Sequence, residues 1–346
     1  MVPIISIPFL SVPVSPENEE RCSFLNILEK IIHAGSIELQ ALLDVVRHGF
    51  PDIMLQFGGG IGDELLLTAV AHEIKKRKQS VKIWQVSHSP ELLRHNPDYA
   101  KVFSMEHWPL RYSIMMEPRR QRLSYAIETE PRKAEIPPKI HIIAELCRKA
   151  GVHGEISIKP YFFFHRDEII SGVRTARQIA VQCVGINSYT TIMRNKLWDT
   201  AKFQVVIDQM REIYPALTII QVGSDHDYPL EGVIDRRGKT SIRETAGILS
   251  RSEVFIGTAG FLMHLARAVD CRSVIIYGGR EHSWQSGYIC NENLNSFVKC
   301  APCWKWDECN DDRRCMNMVQ PEDVVRAAGR ILERSNEPLE VEKVQL

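Results

Sequence analysis

The sequence carries no net charge: Lys and Arg together number 43, and so do Asp and Glu. A chain without a positive surplus has no general electrostatic attraction for nucleic acid or for an anionic membrane. It also lacks any apolar run near the roughly 20 residues that a membrane span needs. Peripheral contact with a membrane surface is the most that remains open. The N-terminal stretch MVPIISIPFLSVPVSP is apolar, but four prolines interrupt it and no basic residue precedes it. A secretory leader wants a charged start and an unbroken apolar helix, so the expected compartment is the cytoplasm. There the nine cysteines stay reduced. No internal repeat of the kind that builds solenoids or propellers is visible. What is present is an ordinary globular composition, 44% apolar and 25% charged over 346 residues, in a chain long enough for two domains.

Residues 1–50 read as a helical prefix, with apolar spacing that predicts helices over Glu19–Ala34 and Ser36–His48. Beyond it the chain alternates strand and helix twice. Asp52–Phe57 predicts a strand, Gly58–Gly62 a tight turn, and Glu64–Lys78 a helix with a basic last turn. Val81–Val86 predicts the next strand. Residues 105–137 look irregular and arginine-rich. Pro138–Ala150 predicts a helix, Ile156–Phe164 a strand and Arg166–Gln178 a linking helix. A second set starts at Ile179, with a helix over Thr200–Tyr214, the strand LTIIQVG, and a helix from Ile242 that Ser241 and Glu244 close with a capping box. Then comes Ser252–Gly279: strand, glycine-bracketed turn (Gly257–Gly260), apolar helix with His264, and strand. This βαβ unit puts backbone N–H groups and a helix N-terminus where parallel sheets hold phosphates. Pro321–Arg334 predicts the last helix, and the tail after Ser335 looks frayed.

Several of these segments resemble one family. They are the Gly58–Gly62 turn with Asp63 and Thr68; Lys196-Leu197-Trp198; Gly238-Lys239-Thr240-Ser241; the run from Gly257 through His264 to Ala266; and Cys300-Ala301-Pro302-Cys303 with Cys315-Met316 ahead of Pro321. In that order they resemble glycosyltransferase family 9, the ADP-heptose transferases and their relatives, from about residue 52 to 334. The resemblance implies an α/β chain of GT-B fold: two Rossmann-like domains whose parallel sheets face a central cleft. The expected boundaries are an acceptor domain over 51–165, a nucleotide-sugar domain over 166–334 with a cysteine-rich segment at 300–315, and a tail over 335–346. It further implies an inverting transfer, without a catalytic metal, of a sugar from a nucleoside diphosphate donor. The family default is ADP-linked heptose, and the acceptor is a hydroxyl on a glycan, lipid or protein.

The residue roles follow from that chemistry. An inverting transfer needs a base on the attacking hydroxyl, and the resemblance gives that part to Asp63; the competing use of an Asp after Gly is to cap a helix. Gly59, Gly60 and Gly62 let the backbone approach the acceptor closely. The leaving diphosphate needs positive charge and hydrogen-bond donors. Lys196 and Arg194 are the candidate cations and Thr190 and Thr191 candidate donors, with Thr258, Ala259, Gly260 and His264 completing the site. Asp225 is expected near the ribose and Thr240 near the base. Asp225-His226-Asp227 is formally a DxD, a weak signal that reads here as a loop. Most members of that family carry an acidic residue in the 258–260 turn; this chain has none, which leaves the sugar open. Cys300, Cys303, Cys309 and Cys315 have the spacing for a closed four-thiolate zinc or iron site of structural kind, expected at a homo-oligomer interface with Trp304 and Trp306 packed on a neighbour; reduced buried thiols and a disulfide are the alternatives. Two other functions fit a chain of this plan: a degenerate GT-B protein that only binds or assembles, favoured by the missing carboxylate, and a GT-B nucleotide-sugar epimerase.

Overall fold

A computed structural model describes residues 49–57, 59–107, 116–130, 134–170, 177–184, 193–334 and 337–346, with single positions between 35 and 47. The chain divides into two units, residues 1–50 with 107–117, and the remainder. In the first unit, Gly35, Leu39, Leu43 and Val45–Arg47 are helical, within and beside the expected Ser36–His48 helix. The expected Glu19–Ala34 helix lies outside the described residues.

The second unit holds two parallel sheets. The first is built from β1 (Ile53–Phe57), β2 (Ile83–Ser87), β3 (Lys101–Ser104) and β4 (Arg120–Leu123), in the order β3–β2–β1–β4. Helix α1 (Ile61–Arg77) leaves β1 through the glycine turn, with Asp63 and Glu64 in its first turn and Lys75, Lys76 and Arg77 in its last. That charge order complements the helix dipole. A short hairpin of β5 (Ile127–Glu130) and β6 (Ala134–Ile136) follows, then α2 (Ile142–Lys149), β7 (Glu155–Ser157) and α3 (Arg166–Ile170).

The second sheet comprises β8 (Gln178–Val181), β9 (Thr218–Gln221), β10 (Ile234–Asp235), β11 (Val254–Thr258), β12 (Ser273–Gly278) and β13 (Glu292–Asn295). Its order, β10–β9–β8–β11–β12–β13, is the 3-2-1-4-5-6 order of a doubly wound sheet. Around it stand α4 (Thr200–Ile213), α5 (Ile242–Arg251), α6 (Phe261–Ala268), α7 (Ser283–Ser286), α8 (Arg314–Met318) and α9 (Pro321–Glu333). Ser241 and Glu244 form the expected capping box on α5.

One apolar core runs across both halves. Leu55, Leu65, Leu66, Ala69 and Val70 of the first half share it with Phe255, Leu262, Met263 and Leu265 of the second. This explains why α1 is buried on every side from Glu64 to Ala71: it is covered by its own sheet on one side and by α6 on another. The contact between the helices is close, because a Cβ on Gly62 would lie 3.4 Å from the Phe261 Cα. The other face of the second sheet has its own core, in which Phe203, Val206 and Met210 of α4 meet Val324, Ala328 and Ile331 of α9.

Three expectations are corrected. Residues 105–137 are not one irregular loop. The charged segment Arg120–Leu123 is the fourth strand, paired with β1 from Met54 to Phe57, because an edge strand needs backbone pairing more than an apolar pattern. Ile156–Phe164 is strand only over Glu155–Ser157. Finally, the tail is not frayed: β14 (Lys343–Gln345) pairs antiparallel with β7, and the Leu346 and Gly154 main chains exchange hydrogen bonds.

Candidate functional site

Both sheets present their carboxyl edges to the seam between the halves, the edge where open parallel sheets bind ligands. Asp63 stands there as the third residue of α1. It is not the helix N-cap; Gly60 is. The carboxylate instead reaches back to accept the Gly60 N–H at 2.8 Å on Oδ2, and it accepts the Tyr125 hydroxyl at 2.8 Å on Oδ1. Gly59 makes room for this: a Cβ there would sit 2.2 Å from Asp63 Oδ2. Burial pushes the carboxyl up to about 6, against the bonds from Tyr125 and Gly60 and the charge of Lys196, with Glu135 adding a smaller upward push. A helix N-terminus alone would lower it; loss of water outweighs that here. The result is a carboxylate near the range useful to a general base.

Lys196 comes from the second half, on a short turn over Arg194–Lys196. Its ammonium pairs with Glu281. Burial alone would push Glu281 up, but Lys196, Arg280 and the Ser286 hydroxyl outweigh it and hold the carboxyl down at about 2. Burial pulls the Lys196 ammonium below its ordinary value despite Glu281 and Asp63. Arg280, buried, donates to Glu135 Oε2 at 2.7 Å and lies 4.9 Å over the Trp304 ring. Glu135 belongs to β6, so this ion pair ties the two halves together.

His264 lies on α6 behind the turn, buried, with Nδ1 2.6 Å from the Tyr288 hydroxyl. Burial pulls it down to about 3, with Lys196 and His141 acting the same way and Glu281 against. The ring is therefore neutral at physiological pH, so any part it takes at a phosphate is a hydrogen bond and not a charge. Thr258 ends β11, Ala259 is buried, and Gly260 caps α6.

The remaining expected residues are scattered. Thr190 and Thr191 lie outside the described residues. Arg194 is exposed, and its main-chain N–H goes to Asp307 Oδ1 at 2.9 Å. Asp225 is exposed beside Gly238, where a Cβ would lie 2.7 Å from the Asp225 Cβ. Asp227 is buried and accepts from Gln182 and the Ser224 N–H; it braces the loop, so the DxD is not a pair of outward carboxylates. The Thr240 hydroxyl meets that of Thr245 at 2.9 Å, before and within the first turn of α5.

The cysteine segment packs beside Tyr125 and the Lys196 turn. Among the described residues, no group of three or more His, Cys, Asp or Glu side chains stands close enough to hold a metal ion. Cys300 and Cys309 are exposed, Cys303 and Cys315 half-buried, and all are free thiols. Trp304 does not pack on a neighbour as expected. It is buried within this chain, donating to Gln285 Oε1 at 3.0 Å and meeting Tyr125 edge-on. The segment also pins the Lys196 turn: Asn195 donates its N–H to the Trp306 carbonyl and its amide to the Lys305 and Glu308 carbonyls.

Sequence reasoning missed Tyr125, Glu135, Arg280 and Glu281. The last two follow Gly278-Gly279 at the carboxyl edge of β12, and that edge was a usable signal. Tyr125 and Glu135 lie in the stretch read as irregular, where no local pattern marks them.

No protein-family model matches the chain, and no curated protein matches its sequence. Solved structures do match its fold. A family 9 glycosyl transferase from Veillonella parvula aligns with 82% of this chain and 97% of its own, at 13% identity and a TM-score of 0.58. The iron-containing dodecameric heptosyltransferase TibC of enterotoxigenic E. coli, in complex with ADP-D-beta-D-heptose, aligns over 83% and 77%, at 14% identity and 0.62. The E. coli ADP-heptose lipopolysaccharide heptosyltransferase II aligns over 82% and 99%, at 11% identity and 0.59. The chain thus has the fold of these transferases, the GT-B fold that its motifs implied.

Proposed function

We propose that this chain is a glycosyltransferase that moves a sugar from a nucleoside diphosphate, most simply ADP, to a hydroxyl acceptor at the seam between its halves. One observation carries the reading: Asp63 from the first half and Lys196 from the second lie near enough to influence each other's ionisation. A proton acceptor thus faces a cation across the site. The acceptor enters on the side of the first sheet and the donor on the side of the second. Asp63 takes the proton of the acceptor hydroxyl as its oxygen attacks the anomeric carbon. The bond from that carbon to the diphosphate oxygen breaks on the opposite face, which inverts the centre. Lys196 meets the charge that develops on the leaving diphosphate, and the neutral His264 adds a hydrogen-bond donor or acceptor. Tyr125 holds the base in place.

Heptose as the sugar, cytoplasmic location and a homo-oligomeric state belong to this proposal. Among the described residues, no helix is long and apolar enough to cross a membrane. TibC is described as dodecameric, and light scattering reads the corresponding state of this chain. The binding-only alternative has one observation in its favour, since Glu281 already occupies Lys196 and a diphosphate must displace it. Thermal shift with ADP-, GDP-, UDP- and CMP-linked sugars, followed by mass spectrometry of acceptor extracts with the stabilising donor, tests the reading. Stabilisation by ADP-linked sugar and a glycosylated product support it. Binding without product in any extract supports the alternative.

A further inference from the structure

Two consecutive acids at the start of α1 part company. Asp63 turns toward Tyr125, which follows β4. Glu64 turns to the other flank of β1, toward the end of β2. Its carboxylate is 1% exposed and accepts the Ser87 hydroxyl, the His88 main-chain N–H at 2.8 Å and His88 Nδ1 at 2.8 Å. Burying a carboxylate is expensive unless its lone pairs are filled, and here they are filled by the last residue of a strand and the residue after it. Ser87 is fully buried and also accepts the Ser89 N–H at 2.9 Å, so its hydroxyl is committed to the scaffold. His88 is different: its side chain is 56% exposed.

An ionised carboxylate only accepts hydrogen bonds, so the ring nitrogen it holds, Nδ1, carries a hydrogen. In the neutral ring the second nitrogen, Nε2, then presents a lone pair and no donor. That nitrogen is offered at the carboxyl edge of β2, next to the strand whose turn carries Asp63. The loop that follows also reaches the donor half, since Arg243 of α5 donates to the Glu91 carbonyl at 2.9 Å. A fixed lone pair at such an edge accepts an O–H. It has nothing to give a phosphate that carries no hydrogen.

We propose that His88, set by Glu64, is an acceptor-binding residue that takes a carbohydrate hydroxyl on Nε2, on the flank of Asp63 opposite Tyr125. The inference rests on the first half being the acceptor side. His88 touches the ligand; Glu64 is a positioning residue that fixes the tautomer.

The test is a two-bond proton–nitrogen NMR spectrum of the whole protein labelled in histidine. The His88 signals are assigned by their loss in His88→Asn, whose amide can still donate to Glu64. The expected spectrum shows Nδ1 protonated and Nε2 bare, and Glu64→Gln mixes the tautomers. Methyl glycosides of glucose, mannose and galactose are then added one at a time, and inorganic phosphate separately at matched ionic strength. A shift of Nε2 with at least one glycoside, and none with phosphate, is the expected result. The opposite tautomer, no shift with any glycoside, or a shift with phosphate alone overturns the proposal. If Asp63→Asn leaves transfer intact, the acceptor-side reading itself has failed. If Asp63→Asn abolishes transfer and Nε2 stays still, only the role of His88 has failed.

Discussion

Tyr125 donates its hydroxyl to Asp63 across 2.8 Å, and it does so from beyond β4, a strand whose sequence, RQRL, hides it. The bond favours the ionised carboxylate, while burial raises Asp63 to about 6 from an ordinary 3.8. A base works only when ionised, so kcat/KM should rise with pH through about 6 to a plateau. Tyr125→Phe removes a bond that lowers this value, and should move the limb up by about one pH unit, since a hydrogen bond to a charged group is worth roughly 1.5 kcal/mol or more. A limb that stays put or moves down would contradict the assignment of Asp63 as base.

The same shift sets a stability dependence. Folded Asp63 keeps its proton to about 6, whereas the unfolded chain releases it near 3.8. Its favourable contribution is therefore complete below 3.8 and lost as pH rises through about 6. Asp63→Asn should flatten that segment of the stability curve and be more stable than the parent at pH 7, by about 1–3 kcal/mol. Urea midpoints measured from pH 4 to 7 read the difference between the two curves.

Glu281, buried, forms an ion pair with the half-buried Lys196. Glu281→Ala leaves the ammonium facing Arg280 without its counter-charge, and should cost about 3 kcal/mol by denaturant titration. The double variant Lys196→Met with Glu281→Leu should recover most of that loss while losing nucleotide affinity. Equal stability of the parent and Glu281→Ala would mean that the pair is open to solvent.

At Gly59 an added Cβ would meet Asp63 Oδ2 at 2.2 Å and the Phe57 ring at 2.6 Å. Gly59→Ala should therefore swing the carboxylate away and lower kcat at least about 10-fold, the scale expected when a catalytic group is misplaced by an ångström or so. The donor dissociation constant should hold, because the donor half is untouched. A fall in donor affinity with unchanged kcat would place Gly59 on the wrong side of the site.

Much of this arrangement was legible in the sequence. The glycine turn before α1, the capping box at Ser241 and the βαβ unit around β11 carry local signals, because turn chemistry and apolar periodicity act over a few residues. β4 was not legible, since a polar edge strand is specified by the neighbour it pairs with. Nor was β14: Val344 and Leu346 pack on the core shared by the two halves, from the far end of the chain. At the site, Asp63 and Lys196 stood out through motif order. Tyr125, the partner of Asp63, did not, because a hydrogen bond between residues 62 apart in sequence leaves no spacing to read. The cysteine spacing was legible, but the packing of Trp304 and the carbonyls that hold Asn195 were not, for these are long-range contacts.

Asn195 gives that last point a test. Its amide serves the Lys305 and Glu308 carbonyls at 3.1 and 3.2 Å, so Asn195→Ala should loosen the Lys196 turn. ADP affinity should fall several-fold, with a loss of about 1–3 kcal/mol in stability for the unsatisfied carbonyls. Unchanged affinity would detach the cysteine segment from the donor site.

The most direct measurement is calorimetric titration of ADP into the parent, Lys196→Ala and Asp63→Asn. If Lys196 holds the donor diphosphate and Asp63 waits for the acceptor, Lys196→Ala should weaken ADP at least about 10-fold, or 1.4 kcal/mol, and Asp63→Asn should bind it at least as tightly as the parent. Equal affinity of the parent and Lys196→Ala, or loss of binding in Asp63→Asn alone, would contradict the account.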